Sequence, residues 1–389
     1  MKKLKNIGVY IHYPFCSRKC FYCDFYSITE LSLTEMFIDY LIKELEIFFS
    51  EHKSYEFIAD TLFFGGGTPS ILTPAHLKLI MASLEQYAKL SDNPEITVEC
   101  NPGSRINQHL EGYLDAGINR LSIGVQSFND DELKFLQRIH DSEQASNTIR
   151  TARLAGFGNI NLDLIFSLPG QTKEKLGSSI DKALALETDH ISAYSLIYEE
   201  GTPLHRGWSR GLINKNDDGY ESELYFFLID ELAKSEYEQY EVSNFAKPGK
   251  KCRHNLNYWN SGEYLAFGPS AHGYLNGIRY GNVRDLRKYF EMIDNNDLPL
   301  DFTETISPKE ELTETMLLSL RAEGLDVKKF DVKFNTDILF VCRKELEEYH
   351  SLGLIYPAGE KIRLTPRGYA VCDSICVKLI EVMEKVLIM

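Results

Sequence analysis

Apolar and β-branched residues recur along the first 235 positions in short runs, each followed by a longer stretch with helical spacing. The runs IGVYIH (7–12), TLFFG (61–65), EITVEC (95–100), RLSIGVQ (120–126), NINLDLIF (159–166) and HISAYSLI (190–197) predict strands. Between them, apolar positions three and four apart predict helices over 32–49, 74–89, 107–116, 131–138, 143–155 and 172–184. A further helix is predicted over 218–235. Alternation of this kind builds a parallel sheet from βαβ units. Six such units fit an open, partial (β/α)6 barrel, whose ligand site lies at the C-terminal ends of the strands.

The pattern changes after this core, taken as residues 1–235. Residues 236–305 are rich in Gly, Asn and Tyr and read as an irregular connecting region. Residues 306–389 read as a small helical domain. There a helix, a turn at Gly353 and a short strand pair around Gly359 fit a winged-helix-like module. The expected fold class is therefore α/β, a partial barrel with a small C-terminal accessory domain.

Composition narrows the partners. A formal charge of −15 over 389 residues argues against a general nucleic-acid binder, which needs clustered Lys and Arg. The acidic balance points the winged-helix-like module toward a structural or docking role. No run approaches the roughly 18–20 apolar residues that span a bilayer. The N-terminal stretch lacks the apolar core and cleavage site of a signal peptide, so a cytoplasmic location is expected. In that compartment cysteines stay reduced, and close spacing signals a metal site or redox chemistry.

Of eight cysteines, three fall within HYPFCSRKCFYCDFYS, directly after the first predicted strand. Cys16, Cys20 and Cys23 make a C-x3-C-x2-C spacing. A zinc site would show paired C-x2-C units and a fourth ligand. Three soft thiolates without a neighbouring fourth suit an iron–sulfur cluster with one open iron. After the second strand comes FFGGGTPS, where Gly66, Gly67 and Thr68 would let the backbone approach a ligand and free amides for it. Alone, such a run is equally a tight turn. Glu99, Gln126 and Asp163 lie in or at the ends of the next three strands, and Arg138 follows on a helix. Polar groups in apolar strands are costly unless paired or bound, and these four belong to one barrel mouth.

The cysteine spacing on the loop after the first strand resembles the radical S-adenosylmethionine (SAM) superfamily. The resemblance implies a [4Fe–4S] cluster on Cys16, Cys20 and Cys23 whose open iron is chelated by SAM. It further implies reductive cleavage of SAM to a 5′-deoxyadenosyl radical, with electrons from a reductant such as flavodoxin or ferredoxin. The glycine run, with Tyr10, Tyr22, Glu99, Gln126, Arg138, Asp163 and Ser195, matches cofactor-binding positions of the closest relatives; the flanks of Ser195 diverge from theirs.

Longer segments place the chain within the superfamily. YIHYPFCSRKCFYCDF, FFGGGTPS, ECNPG, SIGVQSF, LDLIFSLPGQT and HNLNYW together resemble the oxygen-independent coproporphyrinogen III oxidase group. That group contains an enzyme branch, which decarboxylates two propionates of coproporphyrinogen, and a HemW-type heme-chaperone branch. The oxidase pattern continues to a further Cys where this chain has Phe25, and it carries a longer segment before the cysteines than the fifteen residues here. HNLNYW is similar to the heme-associated motif of the chaperones. These features favour a heme chaperone that hands heme to acceptor proteins, with the oxidase as the alternative.

His254 is then the candidate heme ligand, with Tyr258 beside it; Cys252 and His272 are further candidates. His254, Asn255 and Tyr258 could equally form a hydrogen-bonded brace. Trp259, Tyr258, Tyr264 and Phe267 fit either porphyrin walls or core. The last segment, VKLIEVMEKVLIM, has helical spacing and is expected to pack on the small domain or a partner subunit; the alternative is a peripheral contact at the inner face of the membrane. A homodimer is also expected.

Overall fold

The computed structural model describes residues 2–387; the last two residues of VKLIEVMEKVLIM lie outside them. The chain forms two compact units. The first comprises Met1–Asp217 with Glu263–Thr305, and the second Asp218–Gly262 with Ile306–Met389.

Six parallel strands carry the first unit: β1 (Lys3–Tyr13), β2 (Tyr55–Gly66), β3 (Ala88–Cys100), β4 (Arg120–Gln126), β5 (Ile160–Phe166) and β6 (His190–Ser195). They neighbour one another in sequence order, as successive βαβ units predict. Val9, Ile11, Leu62, Phe64, Val98, Ile123 and Leu162 align on one buried apolar face of these strands, and the opposite face is largely buried as well. Helix Thr34–Glu51 buries Phe37, Ile38, Leu41, Leu45 and Phe48, one face at helical spacing. Capping boxes at Thr73 and Asp141 start helices Pro74–Glu85 and Ser142–Ala155. The fold is the parallel-strand α/β architecture expected.

Two segments depart from the sequence reading. β3 begins at Ala88, inside the predicted 74–89 helix, because Ala88–Leu90 pair with Phe57–Ala59 before Ser91-Asp92-Asn93-Pro94 interrupts the pattern. Within the region read as irregular, strand Tyr264–Phe267 pairs parallel with β1 and extends the sheet. Antiparallel strands His272–Leu275, Ile278–Asn282 and Leu300–Thr305 continue it outward. The contact boundaries fall at 217/218, 262/263 and 305/306, whereas the sequence reading divides the chain at 235 and 305.

The second unit joins helices Asp218–Ala233 and Arg253–Trp259 to the C-terminal segment. Its core gathers Leu312, Met316, Leu320, Phe330, Leu346 and Leu379. Strand Leu325–Asp326 pairs antiparallel with Lys361–Ile362, and Ile355 bridges Leu364, closing a hairpin around Gly359. Gly353 turns the chain before it, with φ 70°.

Candidate cofactor site

The cysteine loop leaves β1 and is pinned at both ends. Cys16 N–H donates to Ile28 O at 2.9 Å and Ile28 N–H to Pro14 O at 2.8 Å. Phe21 anchors its middle in an apolar cluster with Leu136, Leu168, Leu196 and Leu204. Cys16 is buried, and Cys20 and Cys23 are half-buried. Burial, with Cys20 and Cys16 adding to it, pushes the Cys23 thiol up to about 11. Gathered thiols of this kind ionise when a metal takes them. No group of three or more His, Cys, Asp or Glu that could hold a metal ion is found among the described residues. A cubane cluster seats each thiolate on a different iron, so its ligands need not converge on one point.

A continuous hydrogen-bond ladder runs between two of the cysteines. Thr68 Oγ1 donates to Cys16 Sγ at 3.3 Å and accepts from Asn101 Nδ2 at 3.1 Å. Asn101 Oδ1 accepts from Arg138 Nη2, which also donates to Gly124 O at 2.8 Å. Arg138 Nη1 lies 3.4 Å from Cys20 Sγ and 3.5 Å from Tyr22 Oη. Arg138 Nε is buried without a partner among the described residues, an orphan donor that an acceptor on a bound molecule would satisfy.

The glycine run differs from the expectation that it frees its amides. Gly66 N–H donates to Glu99 Oε2 at 3.0 Å, Gly67 N–H to Tyr13 O at 2.7 Å, and Thr68 N–H to Phe15 O at 2.8 Å. Glycine is needed for close approach. A Cβ on Gly67 would lie 2.6 Å from Phe15 O; Gly66 combines φ 107° with a Cβ position 2.7 Å from the His12 ring. The run therefore locks the end of β2 against the cysteine loop.

Across the sheet, Glu99 stands opposite Ser122 and Asp163 opposite Ser192, a register that collects polar groups from β3 to β6. Asn161 ties them, with Nδ2 donating to Asp163 Oδ1 at 2.7 Å and Ser122 Oγ at 2.8 Å. His190 Nδ1 lies 2.6 Å from Asn161 Oδ1. Burial and then the Asp163 charge push Glu99 up to about 8; burial also holds Asp163 above its usual range. Tyr10 is raised by burial and by Glu99. His12, bonded to Tyr10 Oη at 3.1 Å and Tyr26 O at 2.9 Å, is lowered by burial to about 4 and so is neutral at pH 7. Such carboxylates can accept from a bound ammonium or hydroxyl group, which would restore their charge. Gln126 closes β4 in the left-handed region at φ 71°, and Ser195 closes β6. Backbone strain of this kind collects at ligand sites. Sequence alone does not single out Asn101, His12 or Asn161, although ECNPG and YIHYPFC contain the first two.

His254 and Tyr258 lie in the second unit, on one face of helix Arg253–Trp259. His254 is buried, with Nε2 2.6 Å from Tyr258 Oη. Cys252 is buried beside them, whereas His272 is an exposed residue of the first unit. Trp259 Nε1 is buried without a partner among the described residues.

Residues 10–183 match the Radical SAM superfamily, and residues 306–371 match the HemN C-terminal domain. The fold agrees with the solved structure of coproporphyrinogen III oxidase (HemN) from Escherichia coli, a radical SAM enzyme, at TM-score 0.82. That likeness covers 97% of this chain and 90% of the other at 22% identity, a similarity of fold. The chain is thus a radical SAM protein with a HemN-type C-terminal domain. Among relatives, heme chaperone HemW of Lactococcus lactis is 34% identical over 97% of this chain and 98% of its own length. Heme chaperone HemW of Bacillus subtilis is 36% identical over 93% and 96%. The chain belongs to the HemW family.

Proposed function

We propose that the chain is a heme chaperone carrying a [4Fe–4S] cluster on Cys16, Cys20 and Cys23, with SAM at the open iron. The observation that carries this reading is full-length similarity to relatives named heme chaperones. Phe25 supports it over the oxidase, since it stands where the oxidase pattern has Cys, and it is 67% exposed beside the loop.

When bound, the cluster and SAM supply one-electron chemistry, and the protein contributes orientation and dryness. Arg138 would offer its orphan Nε to an acceptor on SAM. Glu99 and Asp163 would accept from donor groups of SAM. Tyr10, Tyr22, Gln126 and Ser195 complete the rim at the strand ends. Gly66 and Gly67 act through packing, by holding β2 against the cysteine loop, and Thr68 also through its hydroxyl, which donates to Cys16 Sγ.

In this reading heme would bind at the HNLNYW segment, with His254 as its ligand. The Tyr258 hydroxyl lies 2.6 Å from His254 Nε2, so ligation through that nitrogen would displace the contact. Heme-acceptor proteins, a flavodoxin or ferredoxin reductant and a second copy of the chain are the expected partners, in the cytoplasm and at the inner face of the membrane. No helix among the described residues is long and apolar enough to cross a membrane. The test is to add heme to the purified chain and then mix it with an apo-acceptor. A Soret band that moves to the acceptor supports the reading; no heme binding at micromolar protein overturns it.

A further inference from the structure

We propose that Asn101 is a positioning residue that directs hydrogen bonds onto the thiolates of Cys16 and Cys20 and so raises the reduction potential of the cluster. This rests on the reading that these cysteines hold a [4Fe–4S] cluster.

The direction of each bond follows from donor and acceptor capacity. A guanidinium only donates, so the Asn101 atom facing Arg138 must be Oδ1. The Asn101 atom 3.1 Å from Thr68 is then Nδ2, a donor, and Thr68 Oγ1 must accept from it. The Thr68 hydroxyl proton is left to point at Cys16 Sγ, 3.3 Å away. At the other end, Arg138 turns Nη1 toward Cys20 Sγ. One amide therefore sets the donors on two thiolates. Its own backbone is held as well, with Asn101 N–H donating to Ser70 Oγ at 3.3 Å.

Asparagine suits this place chemically. Aspartate would accept from Arg138 but could not donate to Thr68, and the hydroxyl would turn from sulfur to the carboxylate. Serine and alanine fall short of both partners. Hydrogen bonds to ligating sulfurs stabilise the extra negative charge of the reduced cluster and raise its potential.

The experiment compares the full chain with Asn101→Leu, Asn101→Ser, Thr68→Val and the Asn101→Leu/Thr68→Val double variant. Each is reconstituted anaerobically with iron and sulfide, assayed for both, and titrated by EPR. The single variants are expected to keep their cluster and shift its midpoint to more negative potential. The double variant should shift by less than the sum of its parts, because both changes act on Cys16 through one hydroxyl. Where a cluster is lost too fast to titrate, its rate of iron loss to a chelator should show the same ordering. An unchanged midpoint in both Asn101 variants, or fully additive shifts, overturns the proposal. A wild-type chain that assembles no cluster overturns the underlying reading instead.

Discussion

Tyr289 donates its hydroxyl proton to Glu44 at 2.6 Å, joining helix Leu286–Asp294 to helix Thr34–Glu51 through a buried carboxylate. Gly268 N–H and Asn282 Nδ2 reach the same group at 2.8 and 2.6 Å. Glu44 thus ties the strands added beside β1 to the helix that covers it. Burial pushes its carboxyl up to about 7 against the pull of these three donors.

A folded-state value above the unfolded 4.5 means that folding favours the protonated form. The contribution of Glu44 to stability is therefore full below about 4.5 and is lost as pH rises through about 7. Glu44→Gln should lower stability by about 1–3 kcal/mol, because its amide NH2 meets donors. The variant should also flatten the pH dependence of the urea midpoint in that window. Parallel curves for the two chains would contradict this.

Gly66→Ala should destabilise the chain by about 3 kcal/mol, since it adds a non-glycine residue at positive φ and a contact with the His12 ring. Chemical denaturation measures it. A cost below about 0.5 kcal/mol, the scale of surface substitutions, would mean that the β2 terminus is looser than described.

Much of this fold is legible from sequence. Strands β1 to β6 stand out because a buried face writes apolar residues at every second position, as Leu121, Ile123 and Val125 do in RLSIGVQ. The start of β3 is hidden because Ser91-Asp92-Asn93-Pro94 reads as a break. Residues 263–305 are hidden because their strands are short and broken by Gly and Asn. The site divides the same way. Cysteine spacing is a local signal, whereas Asn101 matters only because folding brings Thr68 and Arg138 to its two ends. The glycine run is visible in the sequence, but its amide partners depend on where folding brings β1, the cysteine loop and β3.

Replacing Cys16, Cys20 or Cys23 singly with Ala should abolish the cluster, whereas Cys100→Ala, a buried strand residue, should keep it. Iron and acid-labile sulfide in the reconstituted chain should approach about four of each per wild-type chain and fall to background in the three loop variants. Retention in any loop variant would remove that cysteine from the ligand set.

His254→Ala should lose the Soret signature of imidazole ligation, and Tyr258→Phe should bind heme more tightly by freeing Nε2 from its hydroxyl partner. Heme titration followed by absorbance measures both. An unchanged spectrum in His254→Ala would leave the pair as a brace of helix Arg253–Trp259.

The most direct test of the chaperone reading uses one anaerobically reconstituted, reduced preparation, assayed in parallel with heme and with coproporphyrinogen III in the presence of SAM. The predicted result is a heme complex and no protoporphyrinogen IX. Sustained conversion of coproporphyrinogen III to protoporphyrinogen IX would contradict it.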